Sequence, residues 1–202
     1  VQTSTDIQHF VCSPSGTTSE SILPALDPGD PAYSIDGAEI KVINGVPQVM
    51  YLSGTELYYV THNGVDWTHE LVGSILNNSD VDWISDPSGR QYVFASTSAT
   101  FGAFRKTPLG WSFETIITGT AYLPSGAFAP NGDIACAFRT SALGEQRVNF
   151  ARKLNTTGEW TNEKLTNDAS DLIPFKCYVN KANNIYIRYL TTDSFITVLT
   201  FR

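Results

Sequence analysis

The chain has 202 residues, of which 42% are hydrophobic, 12% aromatic and 16% charged. This composition predicts a folded chain with a buried core and excludes a disordered polymer. Twenty acidic residues outnumber thirteen basic ones, giving a formal net charge of −7. With no basic cluster, nucleic acid and anionic membrane surfaces are disfavoured as partners. Membrane insertion is also not expected, because no apolar run reaches the roughly 20 residues of a membrane span.

The chain start and the cysteines say little about function. The sequence begins at Val1 without a charged and then apolar leader, so we expect a processed chain or a domain cut from a longer one. Cys12, Cys136 and Cys177 show no C-x-x-C spacing. Three buried free thiols are the favoured expectation, with one disulfide and one free thiol as the alternative.

The predicted elements begin with a strand at residues 5–12. The stretch 17–33 carries three prolines and predicts a long loop. From residue 33 onward one unit recurs. An inner strand, a polar turn, an alternating strand, a third strand and a glycine–tryptophan strand follow one another in each copy.

The repeat is clearest at its turns and tryptophans. Asn-Gly, Ser-Gly or Asn-Asn occurs at 44–45, 88–89, 131–132 and 183–184, each time between two strand-like runs. Such pairs are strong hairpin signals, because Gly and Asn tolerate positive φ. The tryptophans Trp67, Trp111 and Trp160 are 44 and then 49 residues apart. Each follows a glycine and precedes a glutamate by three positions, namely Glu70, Glu114 and Glu163.

Each unit supplies four predicted strands. The inner strands are 38–43, 81–86, 126–130 and 174–179, and the second strands are 46–51, 90–95, 133–138 and 184–189. The third strands are 56–62, 101–107, 148–154 and 195–202, and the tryptophan-containing fourth strands lie within 64–74, 108–119 and 157–168. Period-2 alternation places Val49, Val93, Cys136 and Ile187 in the same slot of successive second strands.

Four strands in about 44 residues are typical of propeller blades. We therefore predict an all-β fold, a small β-propeller with four blades of four antiparallel strands in a single domain over 1–202. The blades span about 33–76, 77–120, 121–170 and 171–202. The last blade lacks a fourth strand, so the N-terminal strand at 5–12 is expected to close the ring and hide its edge. A reduced fifth blade is the alternative, because HFVCSPSG (9–16) resembles DWISDPSG (82–89).

The repeat resembles the degenerate units of sialidase-like and lectin-like β-propellers over residues 33–202. The Ser-x-Asp-x-Gly-x-Thr-Trp turn of that group is reduced here to its glycine and tryptophan, as in NGVDW, PLGW and TTGEW. The small size and the polar, acidic composition also resemble the distal receptor-binding propellers of bacteriophage spikes. These resemblances imply ligand recognition at one mouth of a ring.

A catalytic set is not visible in the sequence. A sialidase mechanism needs an arginine cluster, a tyrosine nucleophile with a glutamate partner, and an acid. The arginines follow turns or lie on second and third strands, and none starts an inner strand, so we expect no sialidase site. The three histidines show no metal spacing, and no nucleophile elbow is present. A carboxylate pair of another glycosidase type needs no motif, so any two acids could form it.

Several predicted inner strands begin with aspartate. Asp6, Asp80, Asp82 and Asp171 lie at such starts, and Asp36 lies near the equivalent place. In a propeller these starts line the mouth of the channel, where converging carboxylates repel one another unless a cation intervenes. Because Ca²⁺ prefers oxygen ligands, we take Asp6, Asp36, Asp80 and Asp171 as a candidate calcium site. The alternative is that these side chains begin strands through hydrogen bonds to nearby backbone.

The candidates for ligand binding are unrepeated residues near that mouth: Asn78, Asp82, Trp83 and Tyr122. Trp83 is the one tryptophan outside the repeat. The alternation of its strand favours a core position over stacking on a sugar.

These observations favour a non-enzymatic recognition domain that binds a cell-surface glycan or protein receptor, as the host-attachment part of a viral spike or a secreted adhesin. The expected location is extracellular or on a virion surface, within a larger, oligomeric assembly. A glycan-active hydrolase or lyase that uses a carboxylate pair is the first alternative. A structural scaffold domain is the second.

Overall fold

A computed structural model of the chain describes residues 7–23, 35–76, 80–142, 145–166, 176–190 and 196–201. All regular secondary structure in these residues is β-strand, arranged in antiparallel sheets. No helix that could cross a membrane occurs in this part of the chain. The chain forms two compact units, Val1–Asn77 and Asn78–Arg202. The prediction of one domain over 1–202 stays a prediction.

The first unit opens with a hairpin that the sequence predicted only in part. Strand β1 (Gln8–Ser13) matches the predicted N-terminal strand and pairs with β2 (Gly16–Ser21). The prediction of a loop from residue 17 is therefore wrong over 17–21, where the Ser/Thr-rich run is extended and the prolines have not yet begun. Because β1 pairs with β2, the predicted closure of the ring by the N-terminal strand is not confirmed.

The first four-stranded sheet completes this unit and has the predicted strand order. It consists of β3 (Ile35–Ile43), β4 (Val46–Ser53), β5 (Glu56–His62) and β6 (Trp67–Ser74). The β3–β4 turn uses Asn44 and Gly45 at φ 54° and 80°, as its sequence predicted.

The second unit contains three sheets in chain order. The second sheet consists of β7 (Asp82–Ser85), β8 (Gln91–Ser96), β9 (Thr100–Thr107) and β10 (Gly110–Thr118). The third consists of β11 (Ala121–Phe128), β12 (Ile134–Ala142), β13 (Glu145–Lys153) and β14 (Trp160–Lys164). The fourth has three described strands, β15 (Lys176–Val179), β16 (Ile185–Leu190) and β17 (Ile196–Phe201).

The second strands β4, β8 and β12 have consecutive buried residues, so both of their faces pack in the core, whereas β16 alternates between buried and more exposed positions. On β12, Ile134, Cys136 and Phe138 pack in a cluster with Phe94 and Phe101 of the second sheet. The intervening Ala135 and Ala137 pack with Cys177, Ile185 and Ile187 of the fourth sheet. Val49 occupies the same slot on β4 and packs with Ile22 and Leu23, which follow the N-terminal hairpin. The shared slot predicted from alternation is thus confirmed as a core position.

The two cysteines with described side chains are free and buried. Burial raises the pKa of the Cys136 thiol well above its ordinary value and that of Cys177 to about 12. Both are therefore protonated and unreactive at neutral pH. The side chain of Cys12 lies outside the described residues.

Candidate functional site

The start of β7 brings two predicted site residues together. The carboxylate of Asp80 accepts a hydrogen bond from the Leu123 N–H at 2.9 Å, and that of Asp82 accepts one from the Gly126 N–H at 2.6 Å. Both donors belong to β11, the inner strand of the next sheet. The alternation of an extended chain puts residues 80 and 82 on the same side, and β11 holds both carboxylates there.

The β11 side of this site is irregular. Leu123 has φ of 49°, and the pairing of β11 with β12 shifts register between Tyr122 and Ser125. Strand β11 is an edge strand of its sheet, so N–H groups that do not face β12, those of Leu123 and Gly126, can bind the aspartates. Tyr122 pairs with Arg139 of β12, whose guanidinium lies 5.6 Å from the centre of the tyrosine ring. The strands thus bring Asp80 to Leu123, the sequence neighbour of Tyr122, and pair Tyr122 with Arg139.

The other predicted ligand-binding residues do not join this group. Trp83 is 1% exposed and donates its indole N–H to Gln91 at 3.0 Å, so it is a core residue with no face for a sugar. Asn78 lies outside the described residues.

The calcium site stays a prediction. Asp6 and Asp171 lie outside the described residues, and Asp36 is in β3 but its side chain is not described. No group of three or more His, Cys, Asp or Glu able to hold a metal occurs among the residues that are described. Asp80 binds the backbone of Leu123, 43 positions away in the next sheet, and not the nearby backbone that the alternative interpretation expected.

A cavity of about 140 Å³ lies at the opposite end of the same strands, between the second and third sheets. Three cationic side chains line it, Arg90, Arg105 and Lys153, together with Tyr92 and Ile134. We call it the basic cavity. The sequence predicted the strand positions of these arginines but gave no sign that a lysine of the next unit would join them.

Contacts with Asp86, Gly132 and Phe128 hold Arg90 in place. Its guanidinium binds Asp86 at 2.7 Å, donates to the Gly132 carbonyl at 3.3 Å and lies 5.1 Å from the ring centre of Phe128. Gly132 has φ of 90°, and a Cβ there would come within 2.8 Å of the Asn155 amide nitrogen. Glycine is therefore required at this wall for its backbone conformation and for its size.

Glu114 of β10 connects the second and third sheets beside the basic cavity. It accepts hydrogen bonds from the Lys153 ammonium and, at 2.9 Å, from the Trp160 indole N–H, and Arg105 lies 3.8 Å away. Burial first, and then the charge of Glu114, raise the pKa of the Tyr92 phenol. The phenol thus keeps its proton at neutral pH and can donate a hydrogen bond.

Asp133 stabilises the turns of the third sheet beside the basic cavity. It accepts hydrogen bonds from Arg152 at 2.6 Å and from the Asn155 N–H at 2.8 Å, which links the β11–β12 turn to the β13–β14 turn. Burial acts to raise the pKa of Asp133, but these bonds and one from Asn131 together hold it below its ordinary value. The wall that contains Asn155 is thereby rigid.

The tryptophan–glutamate contact is itself repeated. In the first unit, Trp67 donates its indole N–H to Glu20 of β2 at 2.9 Å, as Trp160 does to Glu114. Glu20 and Ile22 have the same spacing as Glu114 and Ile116, and both isoleucines are buried. Strand β2 therefore makes the same contact as β10, the outer strand of the second sheet. The Glu-x-Ile spacing shared by the two strands could have indicated this.

No family model matches the sequence, and no curated protein matches it significantly. Solved structures match its fold. The intramolecular trans-sialidase from Ruminococcus gnavus, in complex with oseltamivir carboxylate, is 14% identical over 81% of this chain and 42% of its own, with a TM-score of 0.52. The NanB sialidase from Streptococcus pneumoniae is 12% identical over 87% and 30%, with a TM-score of 0.54. A bifunctional GH43-CE protein from Bacteroides eggerthii is 11% identical over 99% and 32%, with a TM-score of 0.50.

At these identities the similarity establishes the fold. The chain is an all-β protein of the propeller type, built from sheets of four antiparallel strands, as predicted. It spans less than half the length of each of these three structures. The resemblance to sialidase-like propellers is confirmed for the fold, and none of the three is a viral receptor-binding domain.

The comparisons contradict the prediction of a non-enzymatic recognition domain. The similar structures are sialidases and another glycan-active protein, which favours the hydrolase alternative. The prediction that the chain is not an enzyme is contradicted by the same finding. It was wrong because it relied on the absence of a motif, and a carboxylate pair on a strand of a propeller requires none.

Proposed function

We propose that this chain is a glycan-active hydrolase domain whose paired carboxylates are Asp80 and Asp82. The observation that carries the proposal is that β11 holds both side chains on one side of the start of β7 through its own N–H groups. Two residues of extended chain separate their Cα atoms by about 6.6 Å, at about 3.3 Å per residue. Side chains that begin at this spacing and lie on one side can bring their carboxyl groups within the about 5 to 9.5 Å of a glycosidase pair.

The environments of the two carboxylates support different roles. Asp80 is exposed, so a bound glycan can reach it, and we assign to it the general acid that protonates the leaving oxygen. Asp82 is half-buried and is held by the short bond from Gly126, which suits the group that attacks the sugar or activates water. Tyr122 and Arg139 lie beside Asp80 along β11 and β12, where a ring face and a guanidinium can bind a sugar.

We also propose a cellular location and an assembly for the hydrolase. The low content of charged residues and the acidic balance support an extracellular location or a virion surface. A cell-surface glycan then becomes the substrate of the hydrolase, and a larger, oligomeric assembly remains the proposed context.

Hydrolysis of a panel of aryl glycosides and polysaccharides tests the proposal, with Asp80→Asn and Asp82→Asn as the variants. Each is expected to lower kcat/KM by roughly 10²- to 10⁴-fold, the usual contribution of a positioned acid or base. Asp66→Asn, which changes an exposed aspartate in the β5–β6 turn, is the matched control and should leave kcat/KM unchanged.

A second measurement separates the two roles. Azide should restore turnover to Asp82→Ala and yield a glycosyl azide, since it replaces a nucleophile or base but not an acid. The proposal fails if the wild-type protein turns over none of the panel, or if both asparagine variants keep full activity while melting like the wild type.

A further inference from the structure

The basic cavity has an excess of positive charge that the composition of the chain does not lead one to expect. Three of the thirteen basic residues line it, in a chain of net charge −7. Among the described residues that line the cavity there is no carboxylate. The acids that balance these cations, Asp86 and Glu114, bind them from outside the lining. The interior therefore favours an anion.

The cations are held in place before any ligand arrives. The side chain of Lys153 is only 10% exposed and its ammonium lies 5.6 Å and 5.8 Å from the ring centres of Tyr92 and Trp160. Arg90 is fixed by Asp86 and Phe128, as described above. Arg105 has a side chain that is 51% exposed, so it reaches the mouth of the cavity and can adjust to a ligand. Preorganised donors of this kind lose little conformational entropy on binding.

The size and the walls of the basic cavity restrict the ligand further. Its volume of about 140 Å³ exceeds that of a bound water, about 30 Å³ of liquid volume, and is below the roughly 300 Å³ of a drug-sized pocket. Tyr92, Ile134 and Leu154 contribute aromatic and apolar surface beside the cations. A small ring with one apolar face and one anionic group fits both kinds of wall.

We propose that the basic cavity binds an acidic sugar, with its carboxylate against Arg90, Arg105 and Lys153 and its ring against Tyr92. The choice of an anion rests on the cavity itself, whereas the choice of a sugar rests on the proposed function. The site is separate from the carboxylate pair, because Arg90 precedes β8 at one end of the second sheet and Asp82 starts β7 at the other. It is an accessory glycan-binding site of the same domain.

Calorimetric titration of the full chain with three probes tests this inference. Sodium glucuronate carries both the ring and the carboxylate, glucose the ring alone and sodium acetate the carboxylate alone. Glucuronate should bind at least tenfold more tightly than either, and higher ionic strength should weaken it, because the attraction is screened. No glucuronate binding, or equal binding of glucose or acetate, would overturn the proposal.

Two variants locate the binding. Arg105→Ala and Lys153→Met should each weaken glucuronate binding by roughly 10- to 100-fold, the effect of one hydrogen bond to a charged group. Arg188→Ala is the matched control, since Arg188 is exposed on β16 and does not line the cavity. Arg105 is largely exposed, so its variant remains informative even if Lys153→Met fails to fold. Equal losses in Arg105→Ala and Arg188→Ala contradict the assignment.

The variant Asp80→Asn distinguishes this inference from the hydrolase proposal. Glucuronate binding should be unchanged in it, because the two sites lie at opposite ends of the strands. If Asp80→Asn abolishes glucuronate binding, the sugar occupies the carboxylate site and the accessory site is refuted. If no glycoside is hydrolysed but glucuronate binds and Arg105→Ala weakens that binding, the binding site is supported and the hydrolase proposal is refuted.

Discussion

His69 of β6 makes the stability of the first unit depend on pH. Its Nε2 lies 2.7 Å from the Ile22 carbonyl, and its ring packs edge-on against Tyr51. Burial lowers the pKa of His69 below 6.5, although the bond to Ile22 opposes this effect. Between the folded and unfolded pKa values the unfolded chain binds more protons. The stabilisation is therefore complete above about pH 6.5 and decreases as the pH falls through this window.

The variant His69→Gln should remove this dependence. Chemical denaturation at pH 5 and pH 7.5 measures the difference in free energy of unfolding, which is expected to be smaller in the variant than in the wild type. His62→Gln changes a histidine outside the Ile22 contact and serves as the control. An unchanged pH difference in His69→Gln would show that another group causes the acid sensitivity.

Residue-level predictions succeeded where a residue recurs in each repeat. They failed where a contact joins residues of two different sheets. Trp67 and Trp160 were recognised as one slot because they repeat in sequence. Their partners Glu20 and Glu114 lie 47 and 46 positions away, and nothing local marks such a pairing. The meeting of Arg105 with Lys153 was missed for the same reason, since neither residue has a neighbour in sequence that signals the other.

At the level of elements, the inner strand β11 packs so closely on the second sheet that one of its positions requires glycine. A Cβ on Gly126 would lie 2.3 Å and 2.8 Å from two ring carbons of Phe94. Gly126→Ala should lower the free energy of unfolding by about 1–3 kcal/mol, the usual cost of overpacking. Thermal and urea unfolding measure this, and glycan hydrolysis should fall as well, because the Gly126 N–H holds Asp82.

A double-mutant cycle provides the control for Gly126. Phe94→Leu should destabilise the wild type by leaving space in the core, yet recover part of the loss in Gly126→Ala. The coupling is expected to be favourable by about 0.5–3 kcal/mol, as for residues in contact. Strictly additive effects would show that the clash with Phe94 is not the cause.

Strand boundaries were predictable wherever a hairpin turn delimits them. The strand ends that border the turns at Gly45 and Gly132 lie within two residues of their predicted limits, because positive φ at the turn sets the register. The inner strand predicted at 126–130 begins earlier in the structure, at Ala121, and includes Pro124. An innermost strand tolerates proline, since its outer edge makes no ladder and the bulge at Leu123 absorbs the change.

For the whole molecule, the repeat determines the fold while the candidate sites depend on what is not repeated. Each second strand carries a buried residue in the same slot, and the alternation that recurs in every repeat predicts this slot. Tyr122 occurs in one repeat only, and Asp80 and Asp82 were noted only as two of several strand-starting aspartates, so a search for repeated motifs does not bring the three together. This is why the propeller architecture was predictable, whereas the enzymatic alternative required the geometry of β7 and β11 and the comparison with solved structures.

Calcium binding by Asp6, Asp36, Asp80 and Asp171 is a prediction that thermal unfolding of the full chain tests. An ion bound only by the folded state stabilises it, by about 2.7 kcal/mol at 100 times Kd. For a chain of this size that corresponds to a Tm increase of roughly 5–11 °C. Protein freed of metal with EDTA should therefore melt higher when Ca²⁺ is restored.

Asp6→Asn and Asp171→Asn should reduce the increase, while Asp66→Asn should not. An identical Tm with and without Ca²⁺ would leave these aspartates as strand-starting residues that bind backbone, as Asp80 does with Leu123.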